Sequence, residues 1–286
     1  MIYKLNNGRL EVAISTLSAE VVSVKRINDQ KDYMWDGHDY WLRHAPILFP
    51  FCGSVTNPYF YKGQRFDGEA KHGFINRTEF SAETISDTEI IFSTKDSEDT
   101  RTIYPFSFEF SVRYTLNGNT LHSEYSIKNC SDDEMPYMLG LHPGFNLFGD
   151  APKEEFYVDL GKELTLKQHP LVAPFVSGES FDRFIERGRV YITNEIYDHG
   201  TIVLDDSPKK ADLIGPDGKI VSLSFSDNFS HLCIWKWPDD EARYICIEPW
   251  SDLPSDGSSP DELETRNTSR LASGRSDTYF CDYTFC

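Results

Sequence analysis

In Phe110-Ser-Val-Arg-Tyr-Thr-Leu116 every second residue is apolar. A period of two puts one face of an extended chain on a core and the other in water. Asn117-Gly118 follows directly, and a second alternating run occupies Leu121 to Ile127. Asn-Gly supplies the positive φ that a tight hairpin turn requires. The spacing predicts paired antiparallel strands over about 109–116 and 120–128.

The signature recurs along the chain. Val221 to Phe225 and Cys233 to Trp237 alternate, and Glu89 to Thr94 and Arg189 to Thr193 are shorter strand candidates. Asn7-Gly8, Asp36-Gly37, Lys62-Gly63 and Asp217-Gly218 mark turns between such runs. No sustained helical period is present. Short helices are expected only near Glu179 to Glu186 and Pro260 to Arg266, the latter with Ser259 as N-cap and Pro260 at the first helical position. The absence of a fixed-period repeat argues against a propeller. No Gly/Ser-rich linker or composition shift divides the 286 residues, and β-sandwiches run to about 250 residues as single units. The expectation is an all-β, antiparallel chain with few short helices.

Charge excludes several partners. The formal net charge is −18 and no Lys/Arg run occurs, which argues against nucleic acid and against anionic membrane surfaces. No apolar stretch approaches the ~20 residues of a membrane span. The first residues lack a signal-peptide pattern, so the sequons at Asn76, Asn129, Asn228 and Asn267 read as chance. Cys52, Cys130, Cys233, Cys246, Cys281 and Cys286 show no metal-type spacing. Free, mostly buried thiols in a reducing cytoplasm are the expectation. Phosphate-binding glycine loops and a Gly-x-Ser-x-Gly elbow are absent. The polar stretch Ser251 to Ser259 lacks the spacing of a calcium loop and reads as a solvated connection.

Three segments stand out. Lys71-His-Gly-Phe-Ile-Asn76 carries a glycine that permits close backbone approach. Gly140-Leu-His-Pro-Gly-Phe145 sets His142 between a strand end and a Pro-Gly turn. Tyr244-Ile-Cys-Ile-Glu-Pro-Trp250 is a near-continuous apolar strand ending on Glu248. A histidine beside proline is ordinarily a satisfied turn residue, and a strand-end glutamate ordinarily faces water. Here the run before Glu248 reads as buried on both faces, so the carboxylate emerges from the interior. There its pKa rises by desolvation unless a cation pairs with it. These residues alone give a β protein with a His and a Glu suited to proton transfer.

The ordered set of segments resembles the aldose 1-epimerase (mutarotase) family, in particular its LacX-like branch. The matching pieces are Arg43-His-Ala-Pro-Ile-Leu-Phe-Pro-Phe-Cys-Gly53, His72-Gly-Phe74, Tyr104-Pro-Phe106, Ile127-Lys-Asn129, Gly140 to Phe145, Cys246 to Trp250, Leu263 to Arg266 and Leu271 to Gly274. The resemblance covers nearly the whole chain. It implies a single domain over residues 1–286, a large galactose mutarotase-like β-supersandwich with an open sugar cleft.

By resemblance, Glu248 is the general base at the anomeric hydroxyl and His142 the acid at the ring oxygen. His72 and Arg43 bind the sugar, with Trp250 or Phe145 against its apolar faces. No metal or cofactor is implied, and a homodimer is left open. Two departures stand. Asn76 occupies a position where the family often has arginine, and a one-residue strand shift turns Arg77 to the other face. The family's later aspartate matches Asp198 or Asp205, with Asp198 preferred. The implied activity is interconversion of the α and β anomers of a free aldohexose. The alternatives are a hexose-6-phosphate 1-epimerase, a non-catalytic sugar-binding protein, and a metal site from His72, His142 and Glu248.

Overall fold

The computed structural model describes residues 1–67, 71–193, 201–239 and 241–286. In it the two alternating runs form strands Phe108–Asn117 and Thr120–Asn129. Asn117 pairs with Thr120, and Gly118 turns the chain at φ 57°. Phe108, Phe110, Val112, Tyr114 and Leu116 are buried, and the residues between them are not.

This hairpin lies inside a nine-stranded antiparallel sheet, ordered 189–191, 157–159, 210–215, 218–225, 276–285, 120–129, 108–117, 89–95 and 81–86. A second antiparallel sheet runs in the order 175–176, 164–172, 201–205, 231–235, 244–250, 140–141 and 47–48. Gly144–Asn146 also pairs with Tyr244–Trp250 in it, and Phe181–Ile185 with Leu164–Val172. A three-stranded sheet, Ile2–Asn6, Leu10–Ser15 and Val21–Arg26, completes the N-terminal part. One apolar cluster draws buried residues from all three. Phe145 meets Tyr283 at 6.1 Å and Phe49 meets Phe110 at 5.2 Å, which ties the two large sheets together. Each fully buried side chain of this size contributes about 1.5–3 kcal/mol. The architecture is the large antiparallel β-sandwich that the sequence led one to expect.

Tyr244–Trp250 lies centrally and is buried at every residue. Flanking strands take up its backbone groups, so it is a rigid place to hold a side chain.

The helix expectations need correction. Residues 181–185 form a strand on the edge of Leu164–Val172. Residues 260–266 form turns, because their backbone is used elsewhere. Phe60 N–H donates to Asp261 O and Leu263 N–H to Phe60 O, while Thr56 Oγ1 accepts from Asp261 N–H at 2.6 Å. The α-helix among the described residues is Glu98–Ile103, closed by a Ser97/Thr100 capping box. All six cysteines are free, four of them buried. Among the described residues no helix is long and apolar enough to cross a membrane.

Candidate active site

Strand register brings His142 to Glu248. Gly140 pairs with Trp250 and Gly144 with Cys246. His142, midway between the glycines, therefore stands opposite Glu248, and side chains so placed share one face. The glycines on either side of it on that face leave room for aromatics. A Cβ at Gly140 would lie 2.9 Å from the Trp250 ring, and one at Gly144 2.9 Å from Trp41. On the other side Glu248 pairs with Cys233. The Pro-Gly sequence thus sets an imidazole and a carboxylate face to face on paired segments.

His142 Nε2 lies 3.3 Å from Glu248 Oε2. The Trp250 indole donates to the same oxygen at 3.2 Å, and the Cys233 thiol also bonds to the carboxylate. Glu248 is 0% exposed, and its Oε1 has no partner, nor has His142 Nδ1. Burial pushes the Glu248 carboxyl well up, opposed in part by Lys71. Burial holds His142 down at about 3, with Lys71 and Arg43 adding to the effect. The ligand-free pair thus favours a neutral carboxylic acid beside a neutral imidazole, sharing one proton.

His72 faces this pair, its ring 5.5 Å from His142 and 6.1 Å from Trp250. Its backbone is left-handed at φ 75°. Gly53 N–H donates to His72 Nδ1 at 3.1 Å and His72 N–H donates to Gly53 O at 2.5 Å. With Nδ1 accepting, the neutral ring carries its proton on Nε2. Gly73 makes the loop possible, since a Cβ there would sit 2.2 Å from Phe49 O. Burial lowers the His72 pKa well below the ordinary value, with nearby His142, Lys71 and Arg43 contributing.

Arg43 is anchored from below. Its Nη2 donates to Glu20 Oε2 at 2.9 Å and to Asn76 O at 2.8 Å. Glu20, 5% exposed, also accepts from His44 N–H at 2.8 Å and Ala45 N–H at 3.0 Å. Residues 75–77 form a 3₁₀ turn, so the strand-face argument for Arg77 does not apply. Arg77 is exposed and donates back to Gly73 O at 3.0 Å.

Trp250 is 2% exposed and meets Glu248 through its indole N–H, so it orients the carboxylate. Phe145, 0% exposed, packs on Tyr283 in the core and is no wall of the cleft. Its place is taken by aromatics that sequence reasoning missed. Trp41 stacks on His142 with centroids 4.8 Å apart and planes 28° inclined, and Trp235 meets both rings edge-on. Lys71, Thr201, Cys233 and Trp235 also line the cavity beside Glu248. Period-two reading of Cys233-Ile-Trp235 and Cys246-Ile-Glu248 was the available signal for that face. Asp198 lies outside the described residues. Asp205 is further along the same sheet, between His169 Nε2 at 2.8 Å and His231 Nδ1 at 2.7 Å.

The cavity between His72, His142, Cys233, Glu248 and Trp250 measures about 20 Å³, enough for about one water. Among the described residues, the cluster with metal-ligand geometry is His142, Cys246 and Glu248, whose ligand atoms lie within 4.8 Å of one another. It shares two members with the metal set kept as an alternative in the sequence, with Cys246 in place of His72.

Known proteins place the chain. The family model described as Aldose 1-epimerase matches residues 1–269. Protein LacX of Lactococcus lactis subsp. lactis, plasmid-borne, is 30% identical over 267 residues, 88% of either chain. The solved galactose mutarotase related enzyme of Lactobacillus acidophilus superposes with a TM-score of 0.91 at 29% identity, covering 100% of this chain and 97% of its own. A galactose mutarotase-like protein of Lactobacillus casei ATCC 334 does so with a TM-score of 0.91 at 25% identity, covering 100% of each. With the fold, the paired His and Glu and these matches together, the chain belongs to the aldose 1-epimerase family.

Proposed function

We propose that the chain, acting as one domain, interconverts the α and β anomers of a free aldohexose. Membership of the family supports a sugar epimerase or mutarotase kind of function. The observation that carries the finer reading is the His142–Glu248 pair, 3.3 Å apart and buried. Glu248 takes the proton of the C1 hydroxyl while His142 gives one to the ring oxygen, and the C1–O5 bond breaks. The aldehyde end rotates, and as the ring closes on the other face Glu248 gives its proton to the C1 oxygen while His142 takes one back from the C5 hydroxyl. General acid–base catalysis of this kind asks for no cofactor, each group being worth about 10²–10⁴-fold.

Ring opening converts a carboxylate and an imidazolium into a carboxylic acid and an imidazole. Burial disfavours both charged forms, so the sugar's C1 hydroxyl and ring oxygen supply the hydrogen bonds that bring the pair into its reactive ionised form. His72 offers its Nε2–H to a sugar oxygen, Arg43 its remaining donors, and Trp41 and Trp235 apolar faces. Trp250 serves the same site by holding Glu248. Arg77 and Asp198 are assigned to sugar recognition on the resemblance alone.

Polarimetry tests this. Fresh α-glucose or α-galactose reaches equilibrium faster with the protein than without it, and glucose 6-phosphate is a poorer substrate, given the net charge of −18. Acceleration confined to the phosphorylated sugar overturns the free-sugar reading in favour of a hexose-6-phosphate 1-epimerase. Sugar affinity without acceleration overturns catalysis in favour of a binding protein.

A further inference from the structure

We propose that His142, Cys246 and Glu248 form a site for a thiophilic divalent cation of the Zn²⁺ type, which shuts the acid–base pair off when it binds. The inhibitory consequence rests on the epimerase reading above; the metal site itself does not.

The ligand set follows from the fold. Cys246 and Glu248 are two apart on one strand, so their side chains leave the same face. His142 stands over that face from the paired segment. Nitrogen, thiolate and carboxylate together suit Zn²⁺ among the common divalent ions. With bond lengths of ~2.0–2.3 Å, neighbouring ligand atoms of a tetrahedral Zn²⁺ are about 3.4 Å apart. His142 Nε2 and Glu248 Oε2 already stand 3.3 Å apart. The sulfur lies within 4.8 Å of both, and the site requires it to move inward from there.

A second observation points to a ligand here. Glu248 Oε1 is buried with no partner. Such an atom costs free energy unless something reaches it. A cation bridging the pair turns Oε1 into a ligand atom or a water acceptor. The adjoining cavity of about 20 Å³ supplies the fourth position to one water. On binding, the Cys246 thiol proton and the proton shared by His142 and Glu248 leave to solvent. Both catalytic groups are then coordinated and neither can transfer a proton to sugar. Cys233 is the control: it bonds to the same carboxylate from the other side and is outside the ligand set.

Co²⁺ is the probe, titrated into the full chain carrying Cys130→Ser and Cys286→Ser to remove the exposed thiols. We expect one equivalent to give the visible bands of tetrahedral Co²⁺ and a thiolate-to-cobalt charge-transfer band. Cys246→Ser loses the charge-transfer band. It also weakens binding by more than the ~10–100-fold that loss of an outer-shell partner costs. Cys233→Ser keeps both. Zinc displaces the cobalt, slows mutarotation and is reversed by EDTA. Failure of the band to form, or its loss in Cys233→Ser with survival in Cys246→Ser, overturns the assignment. X-ray absorption of the Zn²⁺ form with unmutated Cys246 must show one sulfur at ~2.3 Å, and none there also overturns it, whether or not the serine variant folds. Bands without sugar turnover leave the metal site standing and remove the epimerase reading. Turnover without bands does the reverse.

Discussion

His72 and Gly53 are bonded to each other twice, the glycine N–H to the ring Nδ1 at 3.1 Å and the histidine N–H to the glycine carbonyl at 2.5 Å. The backbone thereby chooses the tautomer of a side chain that faces the acid–base pair. Nitrogen-15 NMR of histidine-labelled protein is expected to show His72 neutral, protonated on Nε2, throughout the pH range 5 to 8. A proton found on Nδ1 would mean that His72 cannot donate to the sugar as assigned.

Replacing Glu248 with glutamine keeps its shape and removes its basicity. The mutarotation rate is expected to fall by about 10²–10⁴-fold. Stability is expected to hold or rise, since Glu248 is buried with one oxygen unpaired and active sites are stabilised when such groups are neutralised. Polarimetry and a thermal melt on the same sample check both halves. A large drop in melting temperature would make Glu248 a structural residue first.

The shared proton sets the pH profile. The pair loses it only when pH rises past the elevated Glu248 value, and gains a second only when pH falls past the depressed His142 value of about 3. Activity per active enzyme is therefore flat through the ordinary histidine range near ~6.5. Measured as kcat/KM between pH 5 and 8, a half-height inflection near 6.5 would contradict a pair with one proton.

Glu20 holds Arg43 and two backbone amides at once. Glu20→Gln is expected to raise KM for the sugar with kcat little changed. It destabilises the chain by about 1–3 kcal/mol, the cost of under-satisfied buried donors. Urea denaturation and a KM-against-kcat comparison separate the two effects. A fall in kcat alone would place Glu20 in the chemistry instead.

Trp41 stacks on His142, which lines the cavity. Sugar bound against His142 is therefore expected to change the surroundings of the Trp41 ring. Saturating galactose should change the tryptophan fluorescence, and Trp41→Phe should remove most of the change. Retention of the full change in that variant would assign it to another tryptophan.

Much of this was legible in the sequence. Alternation located strands such as Phe108–Asn117 and Thr120–Asn129 because one face of each meets the core. Glu248 was legible because an apolar run ending on a carboxylate is anomalous. The expected helix at 260–266 failed because strand Tyr59–Tyr61 claims its backbone, a contact about 200 positions away in the chain. Glu20 under Arg43, Cys233 beside Glu248 and Trp41 on His142 were hidden for the same reason. Their meaning lies in pairings between distant segments, which no local pattern encodes.

The register that faces His142 with Glu248 has a consequence for how such a protein can change. The acid and the base ride on hydrogen-bonded neighbours within a sheet, so their spacing is set by backbone pairing. Of the groups assigned to sugar contact, Arg43, His72 and Trp41 sit on connecting segments outside the strands, and Trp235 on the strand beside that of Glu248. Most of recognition is thus carried apart from the chemistry. Drift in the connecting segments can retune which sugar is accepted while the proton-transfer unit passes through unaltered.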